Sequence, residues 1–188
     1  MRREAEAAAR AARIMTLSDW DRTRVENLVA RQTDIHRLAA QNPSFTGDLL
    51  RTELTKTERL VEAFIDMAVT SARYEAYLAS VDLTALDADR ARLERDIKFC
   101  HDDDPQLDLL KKNLAIILKR QEKMREIRRY LDVARGQLDL IENSFQLIAD
   151  QIVTMQSPQA LSGQLDELLD GVETIRQTAR EADALLEA

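Results

Sequence analysis

Residues 158–187 read PQALSGQLDELLDGVETIRQTAREADALLE, and their apolar side chains recur at alternating steps of four and three. A repeat of roughly 3.5 residues gives a helix one apolar seam, which is stable only when another helix covers it. We therefore expect this helix to use its seam as an interaction surface. The seam residues are Leu161, Leu165, Leu168, Val172, Ile175, Ala179, Ala182 and Leu186.

The composition of the whole chain also favours helices. The 188 residues include only 4 Gly and 3 Pro, aromatic residues make up 4%, and charged residues make up 32%. β-Sandwiches, β-barrels and doubly wound α/β folds are excluded because they need many strands and many turns. The prediction is an all-α fold: an elongated antiparallel helical bundle with coiled-coil packing, with about five helices including one of roughly 50 residues.

Capping signals place the helix boundaries. Asp104-Pro105 and Ser157-Pro158 each read as an N-cap residue followed by Pro at the first helical position. Ser18 is a further N-cap, and Asp82 or Thr84 begins another helix. The predicted helices cover 18–41, 48–80, 83–101, 105–155 and 158–187. We interpret 1–17 as an Ala-rich helical lead-in, with the hypothesis that it continues an upstream helix, and 18–188 as a single domain.

The long fourth segment carries more than one apolar column. One column runs at seven-residue spacing from Leu110 to Ile152, and its companion column shifts between Gln121 and Ile127, which is a stammer. Beyond the stammer, a third column widens the apolar arc, so this helix is expected to face at least two neighbours. The arc and the seam together exceed what one straight neighbour covers, which favours a homodimer. The third column consists of Val133, Leu140 and Leu147.

Positive charge is concentrated in residues 111–135, which contain nine basic residues and three acidic ones. Residues 158–188 are acidic in contrast, with seven acids against Arg176 and Arg180. A solvated face with intrahelical ion pairs is the simplest interpretation of such a band. Docking of a protein partner and binding of membrane headgroups are the two functional alternatives. The candidate basic docking surface is Lys111, Lys112, Lys119, Arg120, Lys123, Arg125, Arg128 and Arg129.

Residues for catalysis are scarce. The chain has two His and one Cys and lacks the common nucleophile, phosphate-loop and zinc motifs, so we predict no catalytic residue, no cofactor and no small-molecule substrate. The segment 100–104 (Cys-His-Asp-Asp-Asp) is the one cluster that resembles a metal site. Neighbouring helical residues point about 100° apart, so we interpret it as a solvated loop and cap, with a divalent-ion site on its three Asp as the alternative. His36 is interpreted as structural.

The overall charge of the chain excludes one class of binding partner. A net charge of −7 argues against nucleic acid as a partner, because such binding depends on a basic footprint. A single Cys forms no intramolecular disulfide, and no apolar run reaches the length of a bilayer span, so we expect a cytoplasmic location. The predicted function is a non-catalytic helical scaffold or protein-interaction (oligomerisation) module. The alternative is a peripheral membrane-surface module that uses the basic band.

Overall fold

The computed structural model describes residues 2–44, 47–101, 104–155 and 158–187, and it forms an all-α helical bundle. Six helices are found in this part of the chain because the Ala-rich opening stretch forms a helix of its own. Asp102, Asp103 and Ser157, which carry parts of the predicted metal cluster and of the last cap, lie outside the described residues. The helices are α1 (Arg2–Met15), α2 (Asp19–Gln41), α3 (Gly47–Ser80), α4 (Leu83–Phe99), α5 (Gln106–Gln151) and α6 (Pro158–Glu187).

Side-chain caps begin two of the helices where the sequence predicts them. The Ser18 hydroxyl accepts a hydrogen bond from the Asp21 amide at 3.1 Å, and the Asp82 carboxylate accepts one from the Ala85 amide at 2.9 Å. These bonds satisfy amide groups that have no partner within the helix. At α5, Pro105 occupies the cap position itself, one residue before the first helical residue.

Helices α3 and α5 form the centre of the bundle. Each of them contacts both α2 and α6, whereas α2 and α6 do not contact each other within the described residues. Tyr74 of α3 and Tyr130 of α5 are fully buried and pack edge to face, with ring centroids 5.1 Å apart. One continuous apolar core joins α2, α3, α6 and residues 124–152 of α5. We call this part of the molecule the body.

The first half of α5 lies outside the body. It packs against α4, which contacts no other helix in the described part of the chain. A separate small core holds the two helices together, formed by Leu86, Leu93 and Ile117 with Leu110 and Leu114 beside them. We call α4 and residues 106–123 of α5 the arm. Since α5 has 46 residues, it extends about 69 Å through the arm and the body.

The predicted stammer coincides with the boundary between arm and body. Gln121, before the stammer, donates a hydrogen bond to Asp87 of α4 at 2.7 Å. Ile127, after it, is fully buried in the core of the body. The apolar pattern of α5 changes there because the helix exchanges one neighbour for three.

The seam of α6 is covered by α3 and α5 of the same chain. Ala179 is half-buried, and the side chain of Leu186 lies outside the described residues. The seam is therefore not free to bind a second copy, which corrects the sequence-based expectation: of the two features that favoured a homodimer, only the third column of α5 remains. The buried seam residues are Leu161, Leu165, Leu168, Val172, Ile175 and Ala182.

Helix α5 ends at Gln151, four residues before the predicted boundary. The buried Asn42 explains the early end. Its side-chain amide donates hydrogen bonds to the carbonyls of Ile152 at 2.6 Å and Met155 at 2.9 Å, while its oxygen accepts one from the Ser44 amide at 2.8 Å. Asn42, in the connection between α2 and α3, thus fixes the backbone of the segment that follows α5.

Candidate docking surface

Large apolar side chains remain exposed on two different sides of α5. In the body, Val133, Leu140 and Leu147 recur every seven residues, so they lie within about 40° of one another around the helix, and 47–49% of each is accessible to solvent. In the arm, Leu109 and Ile116 are 61% and 57% exposed, and they point about 100–160° away from the three residues of the body. An exposed apolar column is typical of a binding surface. We call the surface formed by Val133, Leu140 and Leu147 the outer face of α5.

Helix α6 packs beside α5 in the body. The two helices lie close together at Gly171, which has no side chain: a Cβ there would be 2.7 Å from Nε2 of Gln137. Near its C-terminal end, Asp183 of α6 accepts a hydrogen bond from Tyr74, whose ring packs on Tyr130.

The basic residues predicted as a docking surface divide into two groups. Three of them form short-range ion pairs on their own helix: Lys112 with Asp108 at 2.6 Å, Arg125 with Glu122 at 3.0 Å, and Arg129 with Glu126 at 3.0 Å. Such intrahelical ion pairs agree with the simplest interpretation of the basic band, which is a solvated helix face. The other five form no ion pair with the described residues: Lys111, Lys119, Arg120, Lys123 and Arg128.

Three of the unpaired cations lie next to the apolar residues of the arm. Lys119, Arg120 and Lys123 follow Ile116 at steps of three, four and seven, which places them on the same side of the helix. Lys111 is nine residues before Arg120, so at about 100° per residue it lies on the opposite side. This side of the arm is thus both apolar and cationic.

Exposed negative charge lies on α6. Glu167 and Asp170 are exposed and form no ion pair with the described residues. Glu167 is one turn before Gly171, which packs against Gln137 of α5, so Glu167 lies on the same side of α6, whereas Asp170 points about 100° away from Gly171. Asp166, by contrast, is paired with Lys56 of α3 at 2.8 Å, and this pairing lowers the pKa of its carboxyl group.

Arg24 joins α2 to α5 through contacts that the sequence did not predict. Its Nε and Nη2 atoms donate to Glu142 at 3.0 and 2.5 Å, and Nη2 donates to Asp139 at 2.7 Å. The hydrogen bond that Arg24 donates to Glu142 is the main reason why the pKa of Arg24 is raised. Its guanidinium group also lies 4.6 Å from the ring centre of Trp20, which is otherwise exposed. Because Arg24 and Glu142 are 118 residues apart in the chain, their contact leaves no periodic pattern in the sequence.

The remaining polar groups hold the helices together. His36 Nε2 is 2.9 Å from the Thr57 hydroxyl, and burial lowers the pKa of this imidazole. Lys56 lies between the Glu53 carboxylate at 3.2 Å and the hydroxyl of Ser162 at 2.8 Å. A groove of about 420 Å³ beside Trp20 is lined by Arg24 and Arg135, but both guanidinium groups already bind carboxylates. These groups are therefore occupied in contacts between helices.

A metal site is not found within the described residues, where no group of three or more His, Cys, Asp or Glu side chains is arranged to hold an ion. The alternative of a divalent ion on the Asp run stays untested, because two of its three residues are outside that part of the chain. The helices that are described also lack a segment long and apolar enough to cross a bilayer. No family model matches the chain, and no curated protein or solved structure shows significant similarity to it.

Proposed function

We propose that this chain is a non-catalytic helical scaffold and oligomerisation module, acting in the cytoplasm, whose docking element is the outer face of α5. The observation that supports the proposal is the column of half-exposed apolar side chains on that face, formed by Val133, Leu140 and Leu147 of the body. The partners of such a surface are other proteins, including copies of the chain itself.

The mechanism of such a module is geometric. The two cores of the molecule are both packed on α5, so a single helix positions the whole docking surface. The distance from Val133 to Leu147 is about 21 Å along the helix axis. Apolar residues seven positions apart are suited to a partner helix, whose side chains contact the same face every two turns.

The proposal of a non-catalytic role rests on how the reactive groups are used. The buried or half-buried His36, Lys56 and Tyr74 each bind a neighbouring side chain on another helix. Each of these contacts stabilises the bundle, and none directs an unpaired group towards a cavity. Binding assays, rather than substrate screens, are therefore the informative experiments.

Light scattering coupled to size exclusion tests the proposal. The chain has a mass of 21.5 kDa, and we expect the measured mass to rise above this value as the protein concentration rises from low micromolar to submillimolar. If the measured mass stays at that of one chain at every concentration, the chain does not associate with itself, and the oligomerisation part of the proposal is contradicted.

The second candidate function is binding to anionic membrane surfaces. It is favoured by the cluster of Lys119, Arg120 and Lys123 beside Ile116, since each cation near an anionic bilayer contributes about 1 kcal/mol of binding energy. The acidic groups Asp104 and Asp108 lie at the end of the same arm and oppose such binding. Sedimentation with phosphatidylserine vesicles at low salt tests it, with phosphatidylcholine vesicles as the control. The absence of binding under these conditions removes this candidate.

A further inference from the structure

We propose that α1 is a strap, closed by ion pairs, which opens away from α3 as a unit while the rest of the molecule stays folded. The strap consists of Arg2–Met15, and Thr16, in the connection to α2, is its hinge. When the strap opens, it uncovers a groove between α2 and α3. This inference does not depend on docking through the outer face of α5, so either proposal can fail without the other.

Helix α1 is attached to the rest of the chain through its C-terminal half. Residues 4, 5 and 7–9 are exposed, whereas Arg10, Arg13 and Ile14 are half-buried. Within the described residues, α1 contacts α2 and α3 and no other helix. Among its described side chains, Ile14 packs against the core of the body. An element with so few apolar contacts belongs to the part of a fold that opens most easily.

Ion pairs with two acids of α3 hold the strap closed. Arg10 Nε is 3.1 Å from the Glu62 carboxylate, Arg13 Nη2 is 2.7 Å from the same carboxylate, and Arg13 also pairs with Asp66. The four side chains are between 33% and 46% exposed. Pairs this exposed are individually weak, and salt screens them. The closed position is therefore sensitive to ionic strength, and Glu62, which binds both arginines, is its principal contact.

The open position leaves few groups without a partner. Arg10 Nη2 is buried in the closed position and has no hydrogen-bond partner among the described residues, so opening returns it to water. Asp66 keeps a cation, because Nη2 of Arg176 in α6 lies 3.7 Å from it. Leu17, directly after the hinge, is buried, and its carbonyl accepts a hydrogen bond from Arg22 at 3.2 Å. The chain beyond the hinge therefore stays in place when the strap moves.

The strap forms one side of a groove of about 410 Å³. Arg10 lines this groove together with Gln32 and His36 of α2 and with Glu58 and Val61 of α3. When α1 opens, Arg10 leaves the lining, and the groove becomes a surface cleft of α2 and α3 alone. The position of the strap therefore controls access to this part of the body.

Hydrogen exchange of the full chain measures the opening, because a helix of 14 residues is only marginally stable in water once it is released. We expect exchange in 10–15 to become about three- to tenfold faster when sodium chloride is raised from about 0.05 M to about 1 M. Exchange in 130–141 of α5 stays the same, because the body does not unfold when the strap opens.

Substitutions separate the ion pairs of the strap from general screening by salt. Glu62→Gln weakens the contacts with both arginines, so at low salt we expect exchange in 10–15 to become about three- to tenfold faster. Asp66→Asn affects one arginine, and we expect an increase of about twofold. The matched control is Glu167→Gln, which removes the same charge from the side of α6 that packs against α5 and leaves exchange in 10–15 unchanged.

Three results would overturn the proposal. The first is exchange in 10–15 that does not respond to salt, and the second is an equal response to Glu62→Gln and to Glu167→Gln. The third is a rise in exchange at 130–141 that matches the rise at 10–15, because α1 would then open only together with the body.

Discussion

Replacement of Arg24 by Met removes the ionic connection between α2 and α5 while retaining most of the side-chain length. The Arg24 side chain is only 11% exposed, and its guanidinium group binds Glu142 through two atoms and Asp139 through one. Met keeps the contact with the ring of Phe64, above which the Arg24 guanidinium lies at 5.6 Å. The change therefore tests the charged contacts more than the packing.

The expected loss follows from the exposure of the two acids. Hydrogen bonds to charged groups contribute about 1.5–3 kcal/mol when the partner is left poorly solvated. Glu142 is 29% exposed and regains part of its hydration, whereas Asp139 is 65% exposed and regains most of it. We expect Arg24→Met to lower the free energy of unfolding by about 2–3 kcal/mol, and Asp139→Ala to lower it by less than about 1 kcal/mol.

Urea denaturation followed by far-ultraviolet circular dichroism measures both values. A double-mutant cycle with Glu142→Leu isolates the ionic term, because the variant that lacks both partners leaves neither charge unpaired. The reasoning is refuted if Arg24→Met costs less than about 0.5 kcal/mol, or if Asp139→Ala costs as much as Arg24→Met.

Three further predictions concern stability. Asn42→Ala leaves the carbonyls of Ile152 and Met155 without their buried donor. We expect it to lower the free energy of unfolding by about 1–3 kcal/mol in thermal unfolding and to speed hydrogen exchange at 152–155. Unchanged exchange at 152–155 would contradict this prediction. Leu93→Ala should release the arm alone, because its core is separate from that of the body, so that exchange accelerates in 83–99 while the main denaturation midpoint stays fixed. Burial lowers the pKa of His36 below its unfolded value, so its contribution to stability is complete above about pH 6.5 and declines as the pH falls towards the folded pKa. The pH dependence of unfolding should therefore be less steep below pH 6.5 in His36→Gln, and equal slopes would argue against this assignment.

The local features of the fold were predictable from the sequence. Ser18 and Asp82 cap helices as expected, because a cap depends only on residues within one turn. The stammer between Gln121 and Ile127, which is visible from the periodicity alone, also marks a boundary in the structure. At that point α5 leaves α4 and enters the body.

Features that depend on distant residues were not predictable. Periodicity indicates that the face carrying Leu165 and Val172 is covered, but not whether the cover is the same chain or another one, and here it is the same chain. The connection from Arg24 to Glu142 and that from Asn42 to Ile152 each span more than a hundred residues. The column of Val133, Leu140 and Leu147 was visible in the sequence, but the sequence did not indicate whether another helix of the chain covers it, and 47–49% of each of these side chains is accessible to solvent.

The most direct test of the account is the molecular mass of the Leu140→Ser variant, measured by light scattering over the same protein concentrations as that of the unsubstituted chain. If the outer face of α5 mediates self-association, the rise in mass moves to about tenfold higher concentration in the variant, because an exposed apolar side chain is lost from the contact. The helical circular dichroism of the variant stays the same. A variant that associates at the same concentration as the unsubstituted chain would contradict the account.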